Sequence, residues 1–199
     1  MGRYVTLLSI LSVFLFFSIS TLQAMPGSKD FAALEKKVAS LQLGFDEYYI
    51  AHKLDGEQQE RAQKHLLEKS YPGTYTFTDG EIHVLVAQES DTIIAVYLKN
   101  EEADKIELKQ MIADLMMQFG NPTSEAHDQI IYWAYNEKGK ISEDEYTDSK
   151  KEGEVQIIAT VKFKSKLTLT ESTGEDAPEN SIHCIVSSPR LLEKFYNKQ

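Results

Sequence analysis

Covalent staples are excluded from the start: the 199-residue chain has a single cysteine, Cys184, so no internal disulfide can form. A protein without them must be held together by its hydrophobic core. Basic residues are also in short supply. Lysine and arginine number 21 against 31 aspartates and glutamates, giving a formal charge of −10 at pH 7. A surface of that sign repels phosphate backbones and anionic lipid, which argues against nucleic acid as a partner. Several catalytic and metal-binding signatures are missing as well. The five histidines, His52, His65, His83, His127 and His183, form neither an H-x-x-x-H nor an H-E-x-x-H pattern. No Walker loop, Rossmann glycine fingerprint or Gly-x-Ser-x-Gly elbow is present. Counted from Asp144, the acidic run at 142–154 puts neither a glycine at the sixth position nor a carboxylate at the twelfth, as an EF-hand loop needs, and reads as a solvated loop. No cofactor and no metal are expected.

One long stretch lacks charge entirely. Between Arg3 and Lys29 no ionisable Asp, Glu, Lys or Arg occurs, and an apolar run is followed by polar residues and Leu22-Gln23-Ala24. A basic start, an apolar middle and a small residue at the end describe a secretory signal peptide. We expect cleavage near Ala24, a periplasmic or secreted product, and no stable membrane anchor afterwards. The rival reading is an uncleaved anchor, since the uncharged stretch is long enough to span a bilayer. No cysteine lies near the cut, so an anchor of the bacterial lipoprotein kind is not available. The remainder, 25–199, reads as one α+β domain with two possible halves, 30–100 and 101–199.

Hydrophobic periodicity supports that class. Phe31, Leu34, Val38 and Leu41 recur at helical spacing, with Asp30 as N-cap and Gly44 as stop. Phe45, Tyr49 and His52 extend a helical face, and a surface helix over 57–70 carries Ala62, Leu66 and Leu67. After Tyr71-Pro72-Gly73 the period becomes 2. Tyr75 and Phe77 lead to an Asp79-Gly80 hairpin signal, and Ile82, Val84 and Val86 alternate beyond it. Residues 92–98 are apolar on both faces, as in a central strand. A second helix buries Leu108, Met111, Ile112, Leu115 and Phe119, and stops at Gly120 and Pro122. Residues 123–129 read as a polar connector, 130–135 as a strand, and 136–154 as a long mobile loop. Residues 155–163 and 166–170 form one bent strand or two. Residues 182–187 form the last strand, with Cys184 buried among Ile182 and Val186 and His183 on the opposite face. Ser188 caps a final helix that begins at Pro189. The pattern predicts an antiparallel sheet with helices packed on one face, built from two helix–strand units.

The stretch MMQFGNPTSEAHDQIIYWAYNEKGK concentrates the candidate site residues: His127, Tyr132, Trp133 and Tyr135. A His127–Asp128 general-base pair would need the two side chains to meet, yet adjacent side chains diverge, and no nucleophile elbow accompanies them. An architectural reading accounts for every residue: a helix end, a connector and a strand carrying Trp133 with Ile131 and Tyr135. The order of helix, Gly120-x-Pro122, Tyr132-Trp133 and the strand around Val161 and Phe163 resembles the repeat unit of two small bacterial families. These are the β-lactamase inhibitory proteins and the SmpA-type lipoproteins of the outer-membrane barrel assembly machine. The resemblance spans about a third of the chain. It implies helices packed on a curved antiparallel sheet and a non-enzymatic role in binding another protein. The expectation is therefore a protein-interaction module of the cell envelope. The alternative is a small-molecule binder or sensor with a pocket between sheet and helices lined by Trp133 and tyrosines. Tyr48, Tyr49, Tyr71 and Tyr75 extend the set of candidate recognition aromatics.

Overall fold

The computed structural model describes residues 28–101, 103–126, 130–152, 156–165 and 181–196. The expected signal segment, the expected strand at 166–170, the polar loop at 171–180 and His127 lie outside these residues, and the strand expected over 155–163 is found at Ala159–Ser165. The described chain is an α+β fold. In order it forms α1 (Ser28–Ser40), β1 (Gly44–Phe45), β2 (Tyr48–Tyr49), α2 (Gly56–Lys64), β3 (Thr74–Asp79), β4 (Ile82–Ala87), β5 (Thr92–Asn100), α3 (Lys105–Phe119), β6 (Ser124–Ala126), β7 (Ile130–Asn136), β8 (Gly139–Lys140), α4 (Glu143–Glu152), β9 (Ala159–Ser165), β10 (Ile182–Ser187) and α5 (Pro189–Tyr196).

One antiparallel sheet runs β3-β4-β5-β10-β9-β7-β6, with β8 paired to the far end of β7. The first half contributes β3, β4 and β5 after α2, and the second contributes β6 to β10 after α3, with α4 inserted between β8 and β9. The two sets meet through their last strands, β5 and β10, which pair antiparallel over Ile182↔Asn100 to Ser187↔Ala95. One transverse row shows where the core sits. Phe77, Val84, Val96, Val186, Val161 and Trp133 are in register across six strands, and all six are fully buried. On this face α1 contributes Leu34 and Val38, and α3 contributes Leu108, Leu115 and Phe119. The Phe119 ring lies 6.4 Å from Phe45 and 6.0 Å from Trp133. Among the described residues no helix is long and apolar enough to cross a membrane.

Four local expectations are corrected. Residues 45–52 form no helix. They make the β1–β2 hairpin, turned by Asp46 at φ 49°. Gly44 is needed there because the Tyr48 carbonyl occupies the space of a Cβ. Tertiary partners override the weak helical spacing: Tyr48 is buried against Phe77 and its hydroxyl donates to Asp79 Oδ2 at 2.6 Å. Next, α2 stops at Lys64 rather than near residue 70. Residues 65–67 extend along the open edge of β3, with Leu67 N–H donating to Thr76 O at 2.8 Å and Thr78 N–H to His65 O at 3.2 Å. Satisfying an edge strand outweighs another helical turn, and Leu66 is left 57% exposed. Third, the connector after Pro122 includes β6, which pairs with the start of β7.

Fourth, the acidic stretch is not a plain loop. It folds into β8 and α4, although it has no apolar stripe. The Ser142 hydroxyl accepts from Glu145 N–H at 3.2 Å, and Glu143, Asp144 and Glu145 occupy the first turn, where the helix dipole favours negative charge. A smaller shift affects the β3–β4 turn. Asp79 pairs with Ile82, so Gly80 and Glu81 make the turn, with Gly80 at φ 58°. The final helix begins as expected: Ser188 Oγ accepts from Leu191 N–H at 3.3 Å and donates to Ile158 O at 2.5 Å.

Cys184 lies on the core face, buried between the neighbouring strands. Burial pushes its thiol up to about 12, so the reactive thiolate is scarce at neutral pH. Ellman's reagent should therefore modify the native protein at least about 100-fold more slowly than the urea-unfolded protein. Comparable rates in the two states would show that this part of the core opens readily.

Candidate interaction face

The Trp133 stretch is architecture. The indole N–H donates to Gly120 O at 2.8 Å, and Lys140 Nζ donates to Phe119 O at 3.2 Å and to Asn121 O at 2.9 Å. These bonds satisfy carbonyls at the C-terminus of α3, where a cation is also favoured by the helix dipole. Gly120 adopts φ 72°, which turns the chain out of the helix. Thr123 Oγ1 donates to Ile141 O at 2.7 Å and accepts from Ala134 N–H at 3.0 Å, tying the connector to β7 and its following hairpin.

The three described candidates do not converge. Trp133 and Tyr135 lie on the core side, where burial pushes the Tyr135 hydroxyl up to about 12. Strand alternation sends Tyr132 to the other face. There its ring lies 6.1 Å from Tyr146 of α4, and burial first, then Tyr146, raises it to about 12. Two shallow clefts are present among the described residues. One, of about 250 Å³, lies beside Asn136, Lys138, Glu145 and Ser149. The other, of about 390 Å³, lies beside Gln59, Gln63, Thr74 and Tyr75. Trp133 lines neither. Among the described residues no three histidine, cysteine, aspartate or glutamate side chains are placed to share a metal ion.

The sheet's second face is a different surface. Its central row reads Thr78, His83, Tyr97, Ile185, Lys162, Tyr132 and Ser124, in register across seven strands. Every member is half-buried or exposed. Ile185, on an interior strand, is 37% exposed. The next row carries Lys99, His183, Lys164 and Ile130. Tyr97 organises the middle. Its ring stacks on His183 at 5.8 Å and 18°, and meets the His83 ring edge-on at 5.6 Å. The Tyr97 hydroxyl hydrogen-bonds to His183 Nδ1, and His183 Nε2 lies 3.2 Å from Ser181 Oγ. With Nδ1 accepting from the phenol, Nε2–H is the donor to Ser181. Burial, and then Lys99, lowers the His83 pKa and so favours the neutral ring. Burial also raises Tyr97, with Lys99 opposing and Glu101 adding.

Sequence reading placed Cys184 and His183 on opposite faces correctly, but it singled out none of Tyr97, Lys162, Lys164 and Ile185. The available signal was the alternation Val161, Lys162, Phe163, Lys164. It marks a half-polar strand, but nothing in it says that the strand is interior to the sheet. No protein-family model, curated protein or solved structure matches this chain.

Proposed function

We propose that the protein is a non-enzymatic interaction module, exported to the cell envelope, which binds another protein through the open face of its sheet. One observation carries this reading: interior strands β9 and β10 present Lys162 and Ile185 to solvent while their alternate residues are fully buried. The solvent face of an antiparallel sheet is ordinarily polar. Here Tyr97, Ile185 and Tyr132 stand in the central row with Lys162 among them, and Thr78 and Ser124 at its ends, so that aromatic and apolar area suited to an interface lies on the solvent side. The resemblance of the Gly120–Trp133 unit to two families of protein binders points the same way. The small-molecule alternative is less well supported, because Trp133 packs against Phe119 and lines neither cleft.

The test places a photo-crosslinking amino acid at position 185, with a second protein carrying it at position 109 on α3. Irradiation of cells followed by envelope fractionation should give a discrete adduct from 185 and none from 109. The captured protein, purified, should bind the unmodified chain, and Ile185→Asp should weaken that binding at least about 10-fold. Adducts of equal yield from both positions, or an Ile185→Asp protein that binds normally, would contradict the proposal.

A further inference from the structure

The open face differs in charge from the rest of the molecule. The chain carries ten excess negative charges, yet among the described strand residues that share this face there is no aspartate or glutamate. The strand acids Asp79 and Glu125 pair with Ile82 and Ile131, and so belong to the core side. What the strands of the open face carry instead is Lys99, Lys162, Lys164, His83 and His183, while α4, with Glu143, Asp144 and Glu145 in its first turn, borders the face at Tyr132 through Tyr146. Lys99 is paired with Glu101 at the rim. Lys162 and Lys164 are exposed and form no ion pair with any described residue. Two residues apart on one strand, they stand about 7 Å from each other on the same side. Like charges so placed repel weakly in water, and a counter-charge on a partner would turn that repulsion into attraction. They also flank Ile185, which pairs with Lys162 across the β9–β10 ladder.

Accepting that the open face is the docking surface, we infer that its partner is an acidic protein segment. Its carboxylates would meet Lys162 and Lys164, and an apolar side chain would rest on Ile185 and Tyr97. Charge complementarity is the ground for this choice. A basic partner would be attracted to most of the molecule's surface but repelled at this one place. An acidic partner is repelled elsewhere and steered here, which fixes orientation as well as affinity. Because the lysines are exposed, the attraction should be screened steeply by salt.

A fluorescent glutamate–tyrosine copolymer serves as the probe, with binding followed by anisotropy in 20 mM and 500 mM salt. Two double variants carry the same change in net charge: Lys162→Glu with Lys164→Glu on the open face, and Lys64→Glu with Lys109→Glu on the helices. The copolymer should bind the unmodified protein at low salt and be largely released at high salt. Affinity should fall at least about 10-fold in the open-face variant and less than about 2-fold in the helix variant. Lys162→Gln with Lys164→Gln should give an intermediate loss, separating removal of attraction from added repulsion. The inference is overturned by absence of copolymer binding, by equal losses in the two charge-reversal variants, or by single-stranded DNA binding as well as the copolymer. Repeating the position-185 crosslink in the open-face variant separates the two proposals. An undiminished adduct would leave the docking face standing and remove the acidic partner, whereas no adduct even from the unmodified face would remove the docking face itself.

Discussion

Replacing Trp133 by alanine should lower the thermal midpoint by about 10 °C or more. The side chain is fully buried and packs on Phe119, and truncating a large aromatic in a core costs about 3–5 kcal/mol. For a domain of this size each kcal/mol moves the midpoint by about 2–4 °C. A second loss adds to the first, because the indole N–H is the donor to Gly120 O at the end of α3. Trp133→Phe isolates that bond: it keeps most of the apolar bulk and leaves the carbonyl without its donor, for about 1–3 kcal/mol. Circular dichroism melts of the two variants measure both effects. If Trp133→Ala melted within about 2 °C of the unmodified protein, the indole could not be the element that joins α3 to the sheet.

Gly44→Ala should be nearly as damaging, for a backbone reason. A Cβ at residue 44 would stand 1.9 Å from the Tyr48 carbonyl oxygen and 2.8 Å from Tyr49 Cα. Both are main-chain atoms of the paired strand, so no side chain can swing aside. The hairpin would have to open, and much depends on it. Phe45 meets Phe119, Gln118 Nε2 donates to Gly44 O at 3.1 Å, and Tyr48 packs on Phe77 beneath the Asp79–Arg61 pair. We expect a loss of about 3 kcal/mol or more, seen as a lower urea midpoint at unchanged slope. Gly56→Ala is the control. Nothing lies within 4 Å of a Cβ there, and the residue opens α2 behind the Asp55 capping box. That change should leave stability level or raise it by up to about 1 kcal/mol. A Gly44→Ala protein as stable as the control would mean that the β1–β2 turn adapts freely.

Local signals were legible where a single element decides its own fate. The stripe of α3 and its stop at Gly120 and Pro122 were readable because periodicity, a left-handed residue and a missing amide act within one turn. So was the start of α5, where Ser188 and Pro189 cap and initiate in sequence. The same logic would have found α4 had the Ser142-x-x-Glu145 cap been weighed above the missing apolar stripe. The β1–β2 hairpin and the early end of α2 were not readable. Each is decided by a partner outside the element itself, Tyr48 by Asp79 and residues 65–67 by the edge of β3.

The order of amino acids by itself determined that this is an unstapled acidic chain of mixed helices and antiparallel strands, with alternating residues on its strands. Which of the two alternating sets would be covered was decided only by the tertiary structure. Alternation says that Lys162 and Phe163 point oppositely, but not that β9 is interior or that α1 and α3 both cover the Phe163 side. The open face exists because hydrogen bonding fixes a strand's neighbours in the plane of the sheet, while helix packing alone chooses which side is sealed.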